Sequence, residues 1–129
     1  MAYSMDRTIT GRRFDEVVER AREALQAEGF GVLTEIDVKA TLKKKLDVDV
    51  APYLILGACN PPLAHRVLQL EPRIGVLLPC NVVVRELGDG SIEVSAMDPA
   101  AAMQVVENPA VHEVAAEVRD RLARVLAAL

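Results

Sequence analysis

Tryptophan is absent, and aromatic residues make up only 3% of the sequence. Single-stranded nucleic acids are commonly held by bases stacked on aromatic side chains, so composition argues against a stacking platform. Positive charge is also in short supply: 15 Lys and Arg face 19 Asp and Glu, for a formal net charge of −4. Affinity for phosphate backbones needs a concentrated basic surface, and the run Lys43-Lys44-Lys45 is too short to supply one. No nucleic-acid partner is expected. No apolar stretch approaches the ~20 residues of a membrane span, so no membrane partner is expected either. The start, Met1 to Asp6, has neither the basic beginning nor the apolar core of a signal peptide. Two cysteines in a chain of this size do not make a disulfide scaffold. The expectation is a cytoplasmic protein with reduced thiols.

What is present is apolar bulk. Hydrophobic residues make up 51% and charged residues 26% of 129 residues, enough for one globular domain, 1–129, and no second core. The mean hydropathy of +0.19 is high for a small soluble monomer. Some apolar side chains are therefore expected to meet a second subunit or to line a ligand pocket.

Periodicity orders the elements. Tyr3 to Thr10 alternates as a strand, with Tyr3, Met5, Arg7 and Ile9 on one side. Phe14 to Glu28 carries an apolar stripe at helical spacing (Phe14, Val17, Val18, Ala21, Ala24, Leu25), and Gly29 stands where a left-handed cap belongs. Gly31 to Val38 alternates as a half-buried strand, with Val32, Thr34, Ile36 and Val38 on one face, and Lys39 to Leu46 follows as a short helical turn. Tyr53 to Cys59 is apolar on both faces, which predicts a strand covered on both sides. Asn60-Pro61-Pro62 predicts a capped helix start, and the helix ends near Glu71-Pro72. That helix is a candidate for covering the second face of the sheet. Leu77 to Leu87 and Ser91 to Met97 predict a hairpin about Gly88-Asp89-Gly90. Ala100 to Val105 reads as a helical turn, and Asn108-Pro109 opens a long last helix with a stripe from Val111 to Leu129.

The order strand, helix, four strands, helix predicts an α+β fold: an antiparallel sheet with two long helices on one face. Sequential pairing would leave Leu33, Leu54, Leu56, Val83 and Leu87 for the opposite face, as a dimer interface or a ligand floor.

Three segments are distinctive together: Asp37 to Leu46 (DVKATLKKKL), Ile55 to Pro61 (ILGACNP) and Leu78 to Val83 (LPCNVV). In them the chain closely resembles the domain-of-unknown-function family 302 of bacteria and archaea, from Tyr3 into the last helix. The resemblance implies a fold like that of the TATA-binding protein, with the same element order. It implies no DNA binding, and the family has no established activity to lend.

The residues that could carry chemistry are Cys59-Asn60 and Cys80-Asn81. If the strand ending at Cys59 pairs antiparallel with the one beginning at Cys80, the two thiols and two amides meet at one end of the sheet. His65 and Lys39, with Glu35 and Asp37, are expected neighbours. One reading is structural: small buried cysteines and asparagine caps. A second is a polar ligand pocket oriented by Asn60, Asn81 and the thiols. A third is thiol chemistry, a redox pair or a soft-metal site, although Cys59, Cys80 and His65 supply only three ligands at no standard spacing. His112 falls at the edge of its helical stripe, the glycines form no phosphate loop, and Asp47 and Asp49 read as solvated loop charges. The functional expectation is a homodimeric small-ligand-binding or sensing domain, non-enzymatic, with its pocket at Cys59 and Cys80. A thiol-dependent redox or metal-handling protein and a purely structural subunit are the alternatives.

Overall fold

The alternation and helical periodicity of the chain resolve, in a computed structural model describing residues 2–129, into five strands and five helices. In chain order these are β1 (Ser4–Ile9), α1 (Phe14–Ala27), β2 (Gly31–Asp37), α2 (Val38–Leu46), β3 (Tyr53–Cys59), α3 (Pro61–Leu70), β4 (Cys80–Glu86), β5 (Ile92–Met97), α4 (Pro99–Ala102) and α5 (Pro109–Ala127). Short 3₁₀ turns follow α3 and α4. The fold class is α+β, with one five-stranded sheet. None of the helices among the described residues is long and apolar enough to cross a membrane.

All strand pairs are antiparallel, and the sheet order is β1-β5-β4-β3-β2. The four later strands pair in sequence, while β1 returns to the far side beside β5. The edges are therefore β1 and β2.

The hydrophobic core lies between one sheet face and helices α1 and α5. Leu54, Leu56, Ala58, Val82, Val84, Ile92, Val94 and Ala96 point to this face. They meet Val17, Ala21 and Leu25 of α1 and Leu122, Val125 and Leu126 of α5. Leu54 and Leu56 thus belong to the helix-covered face, contrary to the expectation that they remain on the open one. The open face carries Tyr53, Ile55, Val83, Arg85, Glu93 and Ser95 instead, because register alternation assigns odd and even positions of β3 to opposite sides.

Two further expectations are corrected. Strand β2 is an exposed edge, not a half-buried strand. A bulge between Val32 and Thr34 breaks its alternation, so Val32 stands opposite Ala58 on the helix side while Ile36 stands opposite Ile55 on the open side. Helix α3 does not cover the open face. Its Leu63 and Val67 pack with Ile74, Met103, Val111, Val114 and Ala115 in a second, smaller core at the end of the sheet.

Local chemistry explains the element ends. Gly29 adopts φ +85°, and the Phe30 N–H closes back on the Leu25 carbonyl at 2.9 Å, the cap expected after α1. The side chains of Asp37, Asn60, Asp98 and Asn108 each accept from a backbone N–H of the first turn of their helix. Arg7 of β1 donates to the carbonyls of Leu126 and Ala127, closing the C-terminal end of α5.

Candidate functional site

The site grows from the register of β3 and β4. Ala58 faces Cys80 across the pair, so the end of one strand lies beside the start of the next. Cys59 follows Ala58 directly, and Asn60 then caps α3 by accepting from the Leu63 N–H at 3.4 Å. The Asn60 amide donates to the Glu28 carbonyl at 3.4 Å, and Arg121 of α5 donates to the same carbonyl at 3.1 Å. Asn60 is therefore buried with both ends of its amide engaged, and it ties the start of α3 to the turn after α1.

Beside this junction is a cavity of about 320 Å³. Strand ends supply Ala58, Cys59 and Cys80; α3 supplies Leu63, Ala64, Val67 and Leu68; α5 supplies Val114, Ala115 and Val118. Phe30, Leu33 and Thr34 approach from the beginning of β2, and Met103 and Pro99 from the segment before α5. No charged side chain lines it. The cavity lies beside the second core, where side chains of α3 and α5 meet the ends of β3 and β4 without filling the space between them.

Both thiols are free, with Cys59 half-buried and Cys80 buried. Burial, reinforced by the nearby Cys59, pushes the Cys80 thiol up to about 11. Cys80 is accordingly a neutral thiol near pH 7, a small apolar wall rather than an activated nucleophile.

The other expected site residues lie elsewhere. Asn81 is exposed on the open face opposite Gly57, where it borders a second, more polar depression of about 510 Å³ with Tyr53, Arg85, Glu93 and Asp6. Cys80 and Asn81 are consecutive in β4 and face opposite sides of the sheet, so Cys80 lines the cavity and Asn81 the depression on the open face. His65 is on the exposed side of α3, and Lys39 points its ammonium to the Val50 carbonyl at 2.8 Å. Glu35 is paired with Arg22, and Asp37 caps α2. His112, also exposed, places Nε2 2.7 Å from the Val106 carbonyl. Among the described residues no group of three or more His, Cys, Asp or Glu side chains is clustered to hold a metal ion.

Sequence reasoning missed most of the lining. Leu33 belongs to the apolar set expected on the open face, and Val114 and Val118 to the stripe of the last helix. Their convergence depends on where α3 and α5 cross, which no local pattern encodes.

Residues 5–129 match the family described as Domain of unknown function DUF302. No curated protein matches the chain. Among solved structures, the crystal structure of the uncharacterized conserved protein DUF302 from Bacillus stearothermophilus is similar at a TM-score of 0.91 and 32% identity, over 99% of this chain and 98% of that one. The cavity and the strand ends that frame it are thus features of a chain that belongs, across nearly its whole length, to the DUF302 family.

Proposed function

We propose that this protein is a small-ligand-binding or sensing domain whose ligand occupies the cavity between α3, α5 and the ends of β3 and β4. The observation that carries this reading is the cavity itself: about 320 Å³, apolar and free of charged lining residues. Ligand sites are concave, mostly apolar and few per protein, with volumes of ~300–1,000 Å³. A binding role suits this lining better than a catalytic one, which would call for titratable groups aimed at a reacting atom. The polar pocket expected from the paired Cys-Asn segments is revised accordingly. Asn60 is engaged with the backbone and Asn81 faces away, so the specificity comes from shape and apolar contact.

The thiol reading finds less support: Cys80 is buried and its thiol is raised, which disfavours a nucleophile there, and among the described residues no third His, Cys, Asp or Glu side chain joins the two thiols to hold a metal ion. The test is native mass spectrometry of protein isolated without oxygen or chelator. A small molecule of defined mass is expected on each chain, and it is expected to be missing from Ala64→Phe, which fills the cavity from α3. A bare chain that also takes up nothing from a small-molecule library, followed by backbone amide NMR shifts, would sink the reading in favour of a purely structural subunit.

We also propose that the domain is a homodimer through its open sheet face. Both long helices lie on the other side, leaving Tyr53, Ile55 and Val83 half-buried with no layer above them. A two-fold axis through that face would bring the same apolar residues of two copies together.

A further inference from the structure

The nature of the ligand can be read further from the cavity, on the premise that the cavity is the binding site. We infer that it takes an uncharged, hydrocarbon-like molecule, a medium-length aliphatic chain carrying at most one hydroxyl or carbonyl group.

Three observations lead there. The first is the state of the polar groups. Asn60 would be the natural anchor for a polar ligand, but its carbonyl oxygen accepts from Leu63 and its amide donates to Glu28. Arg121, the cation that reaches this same carbonyl, is also engaged with Glu117 at 3.2 Å. A carboxylate or phosphate in the cavity would thus lose its hydration and find no unengaged charge in return. What remains is the Thr34 hydroxyl and two thiols, enough for one neutral polar group.

The second is the rim. Leu33 is 67% exposed and Leu68 is 38% exposed, yet both line the cavity. The bulge in β2 is what turns Leu33 to this position. Two large apolar side chains left in water at the edge of an apolar cavity gain from a chain that they can close upon.

The third is size. An apolar cavity of ~150 Å³ holds benzene. At that ~25 Å³ per carbon, a cavity of about 320 Å³ has room for a chain of roughly twelve carbons.

The experiment titrates the full chain with 1-alkanols from butanol to tetradecanol, and with the carboxylates of equal length, at pH 7. Backbone amide NMR shifts and calorimetry report binding. Affinity for the alkanols is expected to rise about fourfold per methylene and to level off once the cavity is full. Each carboxylate is expected to bind at least about tenfold more weakly than its alcohol. Shifts are expected at Leu33, Leu68 and Val118, and binding is expected to be lost in Ala64→Phe. Should that variant fail to fold, Leu68→Ser alters only the rim and is expected to weaken octanol binding several-fold. Equal or tighter binding of the carboxylates, or affinity independent of chain length, overturns the ligand class while leaving the cavity as a site. If neither series binds while a different molecule is retained on native mass spectrometry and lost in Ala64→Phe, the ligand class again fails alone. Alkanol binding that survives both variants, or shifts confined to the open sheet face, overturns the cavity as the site as well.

Discussion

Gly57 shows how tightly single residues are set at the end of the sheet. A methyl group at this position would collide with the Thr34 hydroxyl and stand 2.9 Å from Pro79 Cγ. Its backbone conformation is not the constraint; close approach is. Gly57→Ala is therefore expected to destabilise the fold by about 1–3 kcal/mol, read by urea denaturation, and to move the Thr34 side of the cavity. Cys80 supplies a second test at this scale. Its thiol is raised from 9.0 to about 11 in the folded chain, so the unfolded chain releases the proton first. The stabilising contribution is complete below pH 9 and is lost as pH rises towards 11, a decline of about 3 kcal/mol at most. Cys80→Ala is expected to flatten that decline between pH 9 and 11, read by urea denaturation at each pH. The two cysteines and Asn60 were legible as a constellation because strand ends and a proline-marked helix start are local signals. The side to which each residue points was also legible in principle: period two alone separates Asn81 from Cys80.

At the scale of elements, Asn60 joins α3 to the turn after α1 through two different atoms. Asn60→Asp keeps the acceptor that caps Leu63 but loses the donor to Glu28; Asn60→Ala loses both. The expected order of stability, by thermal unfolding, is Asn, then Asp, then Ala, with the alanine variant down by about 1–2 kcal/mol. Equal stability of all three would mean that these hydrogen bonds add nothing to the junction. Most elements were legible from caps and periods. The hairpin about Gly88 to Gly90, the capped starts at Asn60 and Asn108, and the glycine stop at Gly29 all form as patterned. Strand β2 was misread because a bulge adds one residue to one strand without altering composition. The alternation of Val32, Thr34 and Ile36 is regular on paper and broken in the sheet.

For the whole molecule, the open face is the outstanding feature. It carries Ile36, Ile55 and Val83 along one row, continuing to Ser95 and Asp6 across the sheet, with Arg85 and Glu93 paired at 2.8 Å beside it. On the dimer reading, Val83→Lys places two like charges across the axis and is expected to yield a monomer by sedimentation, with unfolding stability changed by less than about 1 kcal/mol. A wild-type chain that sediments as a monomer at high concentration would remove the dimer from the proposal.

The sequence by itself determined the α+β class, the order of elements, most of their ends and the family, since caps, turns and periodicity act within a few residues of one another. Only the tertiary structure decided that β1 pairs with β5, that α3 packs against α5 instead of over the sheet, and that a cavity opens between them. Those outcomes depend on how whole faces are matched across tens of residues. Leu33, Val67 and Val118 become neighbours of one cavity through the crossing of α3 and α5, and no short stretch of chain contains that information.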